Sequence, residues 1–316
     1  MLPSLFTGCM SAVRKGQTQS PAGCKECHRE IVDDWQHSSH AFAWTSPEFI
    51  EQTDQHTQES CLPCHASEPL LEQHASEMPL LRDDQRHHGV HCHTCHQVGR
   101  GFAGPHRSRI GPHPTVTDNV RLTSSEFCGT CHEQEMEEYN DLYLTSLNQF
   151  QAGQTCTQCH MPARFERLTQ DHLLAYIHPR RIVRDHSMPL WNEAMLADAI
   201  TINEPKLRDA EVGLEVVFTL TNATAGHRIP TGKYGYRELL ITAELLDADG
   251  QVLGARERSL LGGFGHGLAP NEPTEFALPV MLGDEGEPAT IRIRVERVNE
   301  DRSFAALFFE KAWPKK

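Results

Sequence analysis

The chain has 316 residues, a formal charge of −14, and only 38% hydrophobic and 7% aromatic residues. Single cores stop growing at about 250–300 residues, so two domains are the expectation, and so thin an apolar supply implies that something besides side chains fills part of the interior. The acidic balance excludes nucleic-acid binding, which calls for a basic face, and no apolar run of about 18 residues is present to form a transmembrane helix.

The first element, Met1 to Cys9, has neither the basic start nor the full apolar stretch of a secretory signal. Its ending, Leu5-Phe6-Thr7-Gly8-Cys9, looks like the cleavage box of a bacterial lipoprotein. Lipidation at Cys9, on a chain whose full signal starts further upstream or was trimmed, is one expectation. An ordinary thiol in a loose tail is the other.

From residue 24 onward one motif recurs. Cys24-Lys25-Glu26-Cys27-His28, Cys61-Leu62-Pro63-Cys64-His65, Cys92-His93-Thr94-Cys95-His96, Cys128-Gly129-Thr130-Cys131-His132 and Cys156-Thr157-Gln158-Cys159-His160 are five copies of C-x-x-C-H and use ten of the eleven cysteines. Two thiols at this spacing form thioethers with two vinyl groups on one porphyrin edge, and the histidine that follows binds the iron from the proximal side. Chance supplies roughly 0.02 copies at this composition, and one copy alone already reads as haem attachment. Zinc knuckles are the competing reading, but a zinc site joins two such pairs per metal, and an odd number of units each ending in His does not divide that way. Five covalently bound haem c groups are therefore expected, with His28, His65, His96, His132 and His160 as proximal ligands. Haem c is attached outside the bacterial inner membrane, so the motifs also imply export, to the periplasm or the outer-membrane and extracellular side. Large apolar macrocycles would replace much of a conventional core.

The sixth position on each iron separates a carrier from an enzyme, because a bis-His iron is closed and an open one binds substrate. Twenty histidines less the five proximal ones leave fifteen. The stretch from Cys24 to about Trp44 reads as a helix broken at Pro47, which sets His40 about 18 Å along the axis from His28. That is too far for the iron of His28 but within reach of a neighbouring haem, and His37, a turn earlier on the same face, competes with it. His93 lies between its motif cysteines and is expected to face solvent. His91 abuts Cys92 and is badly placed for its own haem, while His88 is freer. Arg100, Arg107 and Arg109, in the Gly-rich segment that follows, are expected to pair with haem propionates.

Several segments carry a resemblance. Trp35-Gln36-His37-Ser38-Ser39-His40-Ala41, Ser124-Ser125-Glu126-Phe127 before the fourth motif, Gln154-Thr155 before the fifth with Met161-Pro162 after it, and Asp185-His186-Ser187-Met188-Pro189 are the residues concerned. They resemble multihaem cytochromes related to the tetrahaem electron carrier of ammonia oxidisers, a broad group that includes hydroxylamine oxidoreductase and pentahaem nitrite reductase. The resemblance covers about residues 21–200. It implies that His40 and His186 are distal ligands, with His88 and His113 as further assignments and His91 and His106 as their rivals. The lysine-ending attachment motif of the nitrite reductases is missing here, and hydroxylamine oxidoreductase needs more haems and a cross-linking tyrosine. The resemblance therefore stops short of either activity.

After about Leu196 the cysteines stop and period-2 alternation takes over. Strands are expected at Leu214–Thr221, Leu239–Leu246, Val252–Ser259, Glu275–Leu282, Thr290–Val298 and Phe304–Phe309, with a hairpin turn at Asp247-Ala248-Asp249-Gly250. Short antiparallel strands at this spacing suggest an immunoglobulin-like β-sandwich. Between the first two strands lies Ala225-Gly226-His227-Arg228-Ile229-Pro230-Thr231-Gly232. It is either a plain surface loop or one that caps a haem with His227. The arrangement resembles one in multihaem cytochromes with a trailing β-domain, which implies ligation. His266, amid Gly262, Gly263, Gly265 and Gly267, is not expected to be a ligand; it and His172 and His178 become candidates only if His227 is not one.

The expectation is an α+β chain of two domains: a tail over 1–20, a pentahaem domain of short helices and loops over 21–198, and a β-sandwich over 199–316. Its expected work is electron transfer through bis-His haems, without a catalytic side chain, between redox partners such as other cytochromes or a quinol-linked donor. Two readings compete with it. One is a reductase of a small nitrogen or sulfur oxyanion with one open iron; the other is a subunit of a homo-oligomeric extracellular cytochrome filament.

Overall fold

The computed structural model describes residues 20–74, 77–106, 113–143, 154–170, 174–189, 196, 198–233, 236–263, 266–283, 286–300, 302–303 and 305–315. Cys9, Arg107, Arg109, His172, Gly265 and Phe304 lie outside the described residues. The architecture is α+β, and the chain divides into two compact units, one of Met1–Glu133 with Gly153–Leu190 and one of Gln134–Ala152 with Trp191–Lys316. Among the described residues no helix is long and apolar enough to cross a membrane.

Short helices build the first unit: α1 (Pro21–Lys25), α2 (Arg29–Gln36), α3 (Pro47–Gln52), α4 (Leu62–His65), α5 (Cys92–His96), α6 (Asn119–Thr123) and α7 (Ser125–Gly129). After α8 (Glu133–Glu138), which runs into the second unit, come α9 (Cys156–His160) and α10 (Leu174–Ile177). Their starts are written in the sequence. Proline stands in the first turn of α1, α3 and α4, where its missing N–H costs nothing. Ser46, Asp118 and Ser124 cap α3, α6 and α7 by accepting the amides of Phe49, Arg121 and Phe127.

The long helix expected from Cys24 to Trp44 is a correction: α2 ends at Gln36. The Ser38 hydroxyl donates to the Trp35 carbonyl at 2.7 Å, a side-chain bond that competes with helix propagation. Trp35 itself is tied down by its indole N–H to the Val90 carbonyl at 2.8 Å. Turns then carry the chain past His40, whose carbonyl accepts from Val90 at 3.0 Å. The approach depends on Gly89, which sits at φ +59° and leaves only 2.4 Å between the position of a Cβ and the His40 carbonyl oxygen.

Two small sheets complete this unit, β1 (Gln97–Val98), β2 (Gly101–Gly104) and β3 (Thr115–Thr117), then the antiparallel pair β4 (Ala163–Arg167) and β5 (Arg180–Arg184). Neither was legible as alternation, since the strands are two to five residues long.

The second unit holds two antiparallel sheets. One runs β10 (Val252–Leu261), β9 (Glu238–Leu246), β12 (Thr290–Val298), β13 (Ala305–Pro314); the other runs β11 (Pro273–Val280), β8 (Leu214–Asn222), β6 (Ile200–Ile202), with β7 (Lys206–Asp209) also on β8. Inward residues alternate along β8 and β12, as a sheet with one dry face requires. Val216, Phe218 and Leu220 from one sheet and Ile241, Ala243, Ile293 and Val295 from the other share one buried cluster, with Phe218 and Phe276 stacked at 5.6 Å. The β9–β10 turn falls where expected, with Gly250 at φ +83°. That cluster of buried apolar residues lies wholly in the second unit.

Candidate functional site

One helical turn brings the thiols and imidazole of each motif together. In the first motif the His28 amide donates to the Cys24 carbonyl at 2.8 Å, and in the fourth the His132 amide donates to Cys128 at 3.0 Å. The second, third and fifth motifs lie on α4, α5 and α9. All ten motif cysteines are unbridged. Thiols from different motifs nevertheless converge. The thiols of Cys24 and Cys92, of Cys64 and Cys131, and of Cys128 and Cys156 lie close enough to interact. Burial pushes the Cys95 thiol up to about 11.

Among the described residues, three of the motif histidines face a second imidazole. His28 and His113 have ring centres 6.3 Å apart, His96 and His186 are 6.0 Å apart, and His132 and His40 are 6.0 Å apart. Two imidazoles on opposite sides of one metal, with bonds of about 2.0–2.1 Å and a nitrogen-to-centre distance of about 1.1 Å, have centres about 6.3 Å apart. The two residues of each pair would therefore fit the iron of a haem between them, as its protein ligands. The tautomers agree with this. Nδ1 of His28, His65 and His96 lies 2.7, 2.6 and 2.9 Å from the carbonyls of Leu168, Ala43 and Ala103. His186 Nδ1 lies 2.7 Å from the Arg184 carbonyl. Donation from Nδ1–H to a carbonyl leaves Nε2 as the free base, the usual arrangement of a metal-binding histidine. His40 differs, its Nδ1 being buried without a hydrogen-bond partner. Burial, then the neighbouring His132, lowers His40 to about 4; burial, then His96, does the same to His186. Both rings are neutral at ordinary pH, the form that binds metal.

Among the described residues, His37, His88, His91 and His106 are not paired with a motif imidazole in this way. His88 touches His87 at 4.0 Å and His91 at 6.0 Å, because left-handed Gln85 and Gly89 fold Arg86–His88 into a tight turn. His91 caps α5, its Nδ1 accepting the His93 amide at 3.2 Å, so its proton sits on Nε2 and that nitrogen is a donor. His93 corrects the solvent-facing expectation: it is 7% exposed and packs on Phe102 at 5.2 Å. His106 has Arg181 as its charged neighbour. His37 is exposed, with Nδ1 2.6 Å from the Asp33 carbonyl. His65 is set apart from the paired rings, because Phe49 lies flat on it at 3.7 Å and, among the described residues, no imidazole stands across from it. Nothing in the sequence signalled Phe49, or the carbonyls that orient the motif histidines.

In the second unit His227 sits on a braced loop. Its Nδ1 is 2.9 Å from the Arg228 carbonyl, and buried Asn222 donates to the His227 carbonyl at 2.8 Å. The buried Glu138 carboxylate accepts from the Arg228 amide at 2.9 Å and the Thr231 hydroxyl at 2.8 Å.

Comparison with known proteins agrees with this site. A family model described as cytochrome c554 and c-prime matches residues 23–97, the span of the first three motifs. No curated protein matches. The crystal structure of a penta-heme cytochrome c552 from Thermochromatium tepidum is similar in fold, with a TM-score of 0.63 over 92% of this chain and 97% of that one at 17% identity. A far weaker likeness, to the putative ApaA protein from Bordetella pertussis, has a TM-score of 0.19 at 18% identity over 37% of this chain and 93% of that one, and carries no weight. Together the motifs, the family model and the structural neighbour support a multihaem c-type cytochrome.

Proposed function

We propose that the chain is an exported pentahaem cytochrome c that passes electrons between protein partners and turns over no substrate. The observation that carries this reading is the facing of imidazoles at about one metal's width in three motifs. Haem c, when bound, supplies a one-electron iron couple whose potential follows its axial ligands. The chain's own residues supply attachment, orientation and closure. Each motif offers two thiols and an imidazole, and backbone carbonyls fix the imidazole tautomer in the first three. His113, His186 and His40 stand opposite His28, His96 and His132. Thiols that converge between motifs support attachments close enough for a relay, first with third, second with fourth, and fourth with fifth. His227 is proposed as a further ligand, because its Gly-His-x-x-Pro-Thr-Gly loop resembles one in multihaem cytochromes with a trailing β-domain. Lipidation at Cys9, kinship with the hydroxylamine oxidoreductase group and an immunoglobulin-like sandwich in the second unit belong to the same proposal. The test is a potentiometric titration of the purified protein with nitrite, hydroxylamine and sulfite added to the reduced form. Five one-electron couples and no substrate consumption are expected; steady oxidation by any of the three compounds would overturn the carrier reading.

A second reading has one observation in its favour. His65 is packed on Phe49 rather than faced by an imidazole, which suits an open iron at the second motif and reduction of a small oxyanion there. Rapid carbon monoxide binding to one haem, with steady oxidation by one of the oxyanions, would promote it; five low-spin haems that ignore carbon monoxide would remove it.

A further inference from the structure

Arg82 is a buried charge, only 7% exposed, and among the described residues it has no acidic contact. Its Nε donates to the Asp84 carbonyl at 3.0 Å, Nη1 to the Ser67 carbonyl at 3.1 Å and the Thr94 hydroxyl at 3.4 Å, and Nη2 to the Gln85 and Gly89 carbonyls at 3.0 Å each. All of these acceptors are neutral. Neutral dipoles solvate a guanidinium but do not cancel its charge. Among the described residues no carboxylate lies within ion-pair range of it; Glu68 and Asp84 act only through space, and Asp84 is exposed to screening water. The cation is also anchored to the third motif. Thr94 stands between Cys92 and Cys95, donates to the Ser67 carbonyl at 3.2 Å and accepts from the His91 amide at 3.4 Å.

We propose that Arg82 tunes the haem on Cys92 and Cys95, raising its reduction potential by acting as a fixed, poorly screened cation beside the attachment helix. A buried positive charge interacts far more strongly than an exposed one and favours the ferrous iron, which carries one positive charge fewer than the ferric. Arginine suits the task because it stays charged when buried. His91 cannot take over the role, since burial and Arg82 together hold it neutral, down to about pH 2. Arg82 is thus a positioning and tuning residue that touches no reacting atom. The inference rests on the reading that the third motif carries a haem.

The experiment is a spectroscopically resolved redox titration of the full holoprotein as Arg82→Gln, Arg82→Lys and the double variant Glu68→Gln/Asp84→Asn. Arg82→Gln is expected to shift one couple downward and leave the others in place, Arg82→Lys to leave that couple near its original value, and the double variant to shift it upward. Equal shifts in the Gln and Lys variants would show a merely structural role, and no shift in a fully loaded Arg82→Gln protein would show no role; either overturns the proposal. Should Arg82→Gln fail to load its haems, Arg82→Met, which keeps most of the bulk without the charge, decides in its place: a downward shift of one couple supports the proposal and no shift rejects it. Peptide mapping of Cys92–His96 reports separately on the underlying reading, because an unmodified peptide there removes the haem itself.

Discussion

Replacing His186 by Ala probes the paired-imidazole geometry most sharply. His186 stands 6.0 Å from His96, centre to centre, and is held by the Arg184 carbonyl at 2.7 Å. The turn beneath it is fixed by Asp185, whose carboxylate accepts from the Ser187 amide at 2.8 Å and hydroxyl at 2.6 Å. Truncation therefore removes one ring without releasing the chain that carries it. With five motifs, one haem in five, about 20% of the total, should pass from low to high spin as its sixth ligand is lost. Electron paramagnetic resonance of the oxidised protein reads that fraction directly. Added imidazole fits the space left across from His96 and should restore the low-spin signal. His186→Met should stay low-spin and show a higher potential for that couple, as methionine ligation does. An unchanged spectrum in His186→Ala, at full haem loading, would refute the assignment and the distance argument behind it.

Further outcomes follow from the same geometry. His40→Ala should convert a different fifth of the haem to high spin while His37→Ala, at the exposed competitor, stays silent; the same spectra compare the two. Burial lowers His40 and His186 to about 4 from an ordinary value of 6.5. The unfolded chain thus takes up protons below about pH 6.5 that the folded chain refuses, and stability falls as pH drops through that window. Circular dichroism should show a stability decline between about pH 6.5 and 4 with the low-spin spectrum intact at pH 6, and loss of the low-spin spectrum already at pH 6 would contradict it. Phe218→Ala, at a position 1% exposed and stacked on Phe276, should cost the second unit about 3–5 kcal/mol, measured by denaturant unfolding. Glu138→Ala strands the Arg228 amide and the Thr231 hydroxyl, at about 1–3 kcal/mol for such a buried group; hydrogen exchange across Ala225–Gly232 should accelerate, and unchanged protection would count against the brace.

What was legible in the sequence divides along physical lines. The attachment motifs are local, five residues each, so spacing alone exposes them. Strands β8, β11 and β12 of the second unit were legible because one face of each packs into a shared core and alternation follows; the short strands β6 and β7 on β8 left no such pattern. The helix through His40 was misread because nothing in a hydrophobic pattern shows that Ser38 bonds back to Trp35, or that Gly89 lets a distant loop close on the His40 carbonyl. His93 was misread for a related reason, as Phe102 comes back over it from β2. Pairing is the least legible level. His113, His40 and His186 stand opposite His28, His132 and His96 from 85, 92 and 90 positions away, and sequence separation carries no information about which ring meets which. Arg82 gave no signal at all, since a single arginine in a polar stretch looks like surface.

The most direct test of the central claim is the intact mass of the purified protein, read together with its pyridine haemochrome spectrum. A mass exceeding the polypeptide by five haem groups, and a haemochrome of the thioether-linked type in five-to-one ratio to protein, is the predicted result. A polypeptide without covalent haem, or one whose cysteines hold zinc, would contradict it.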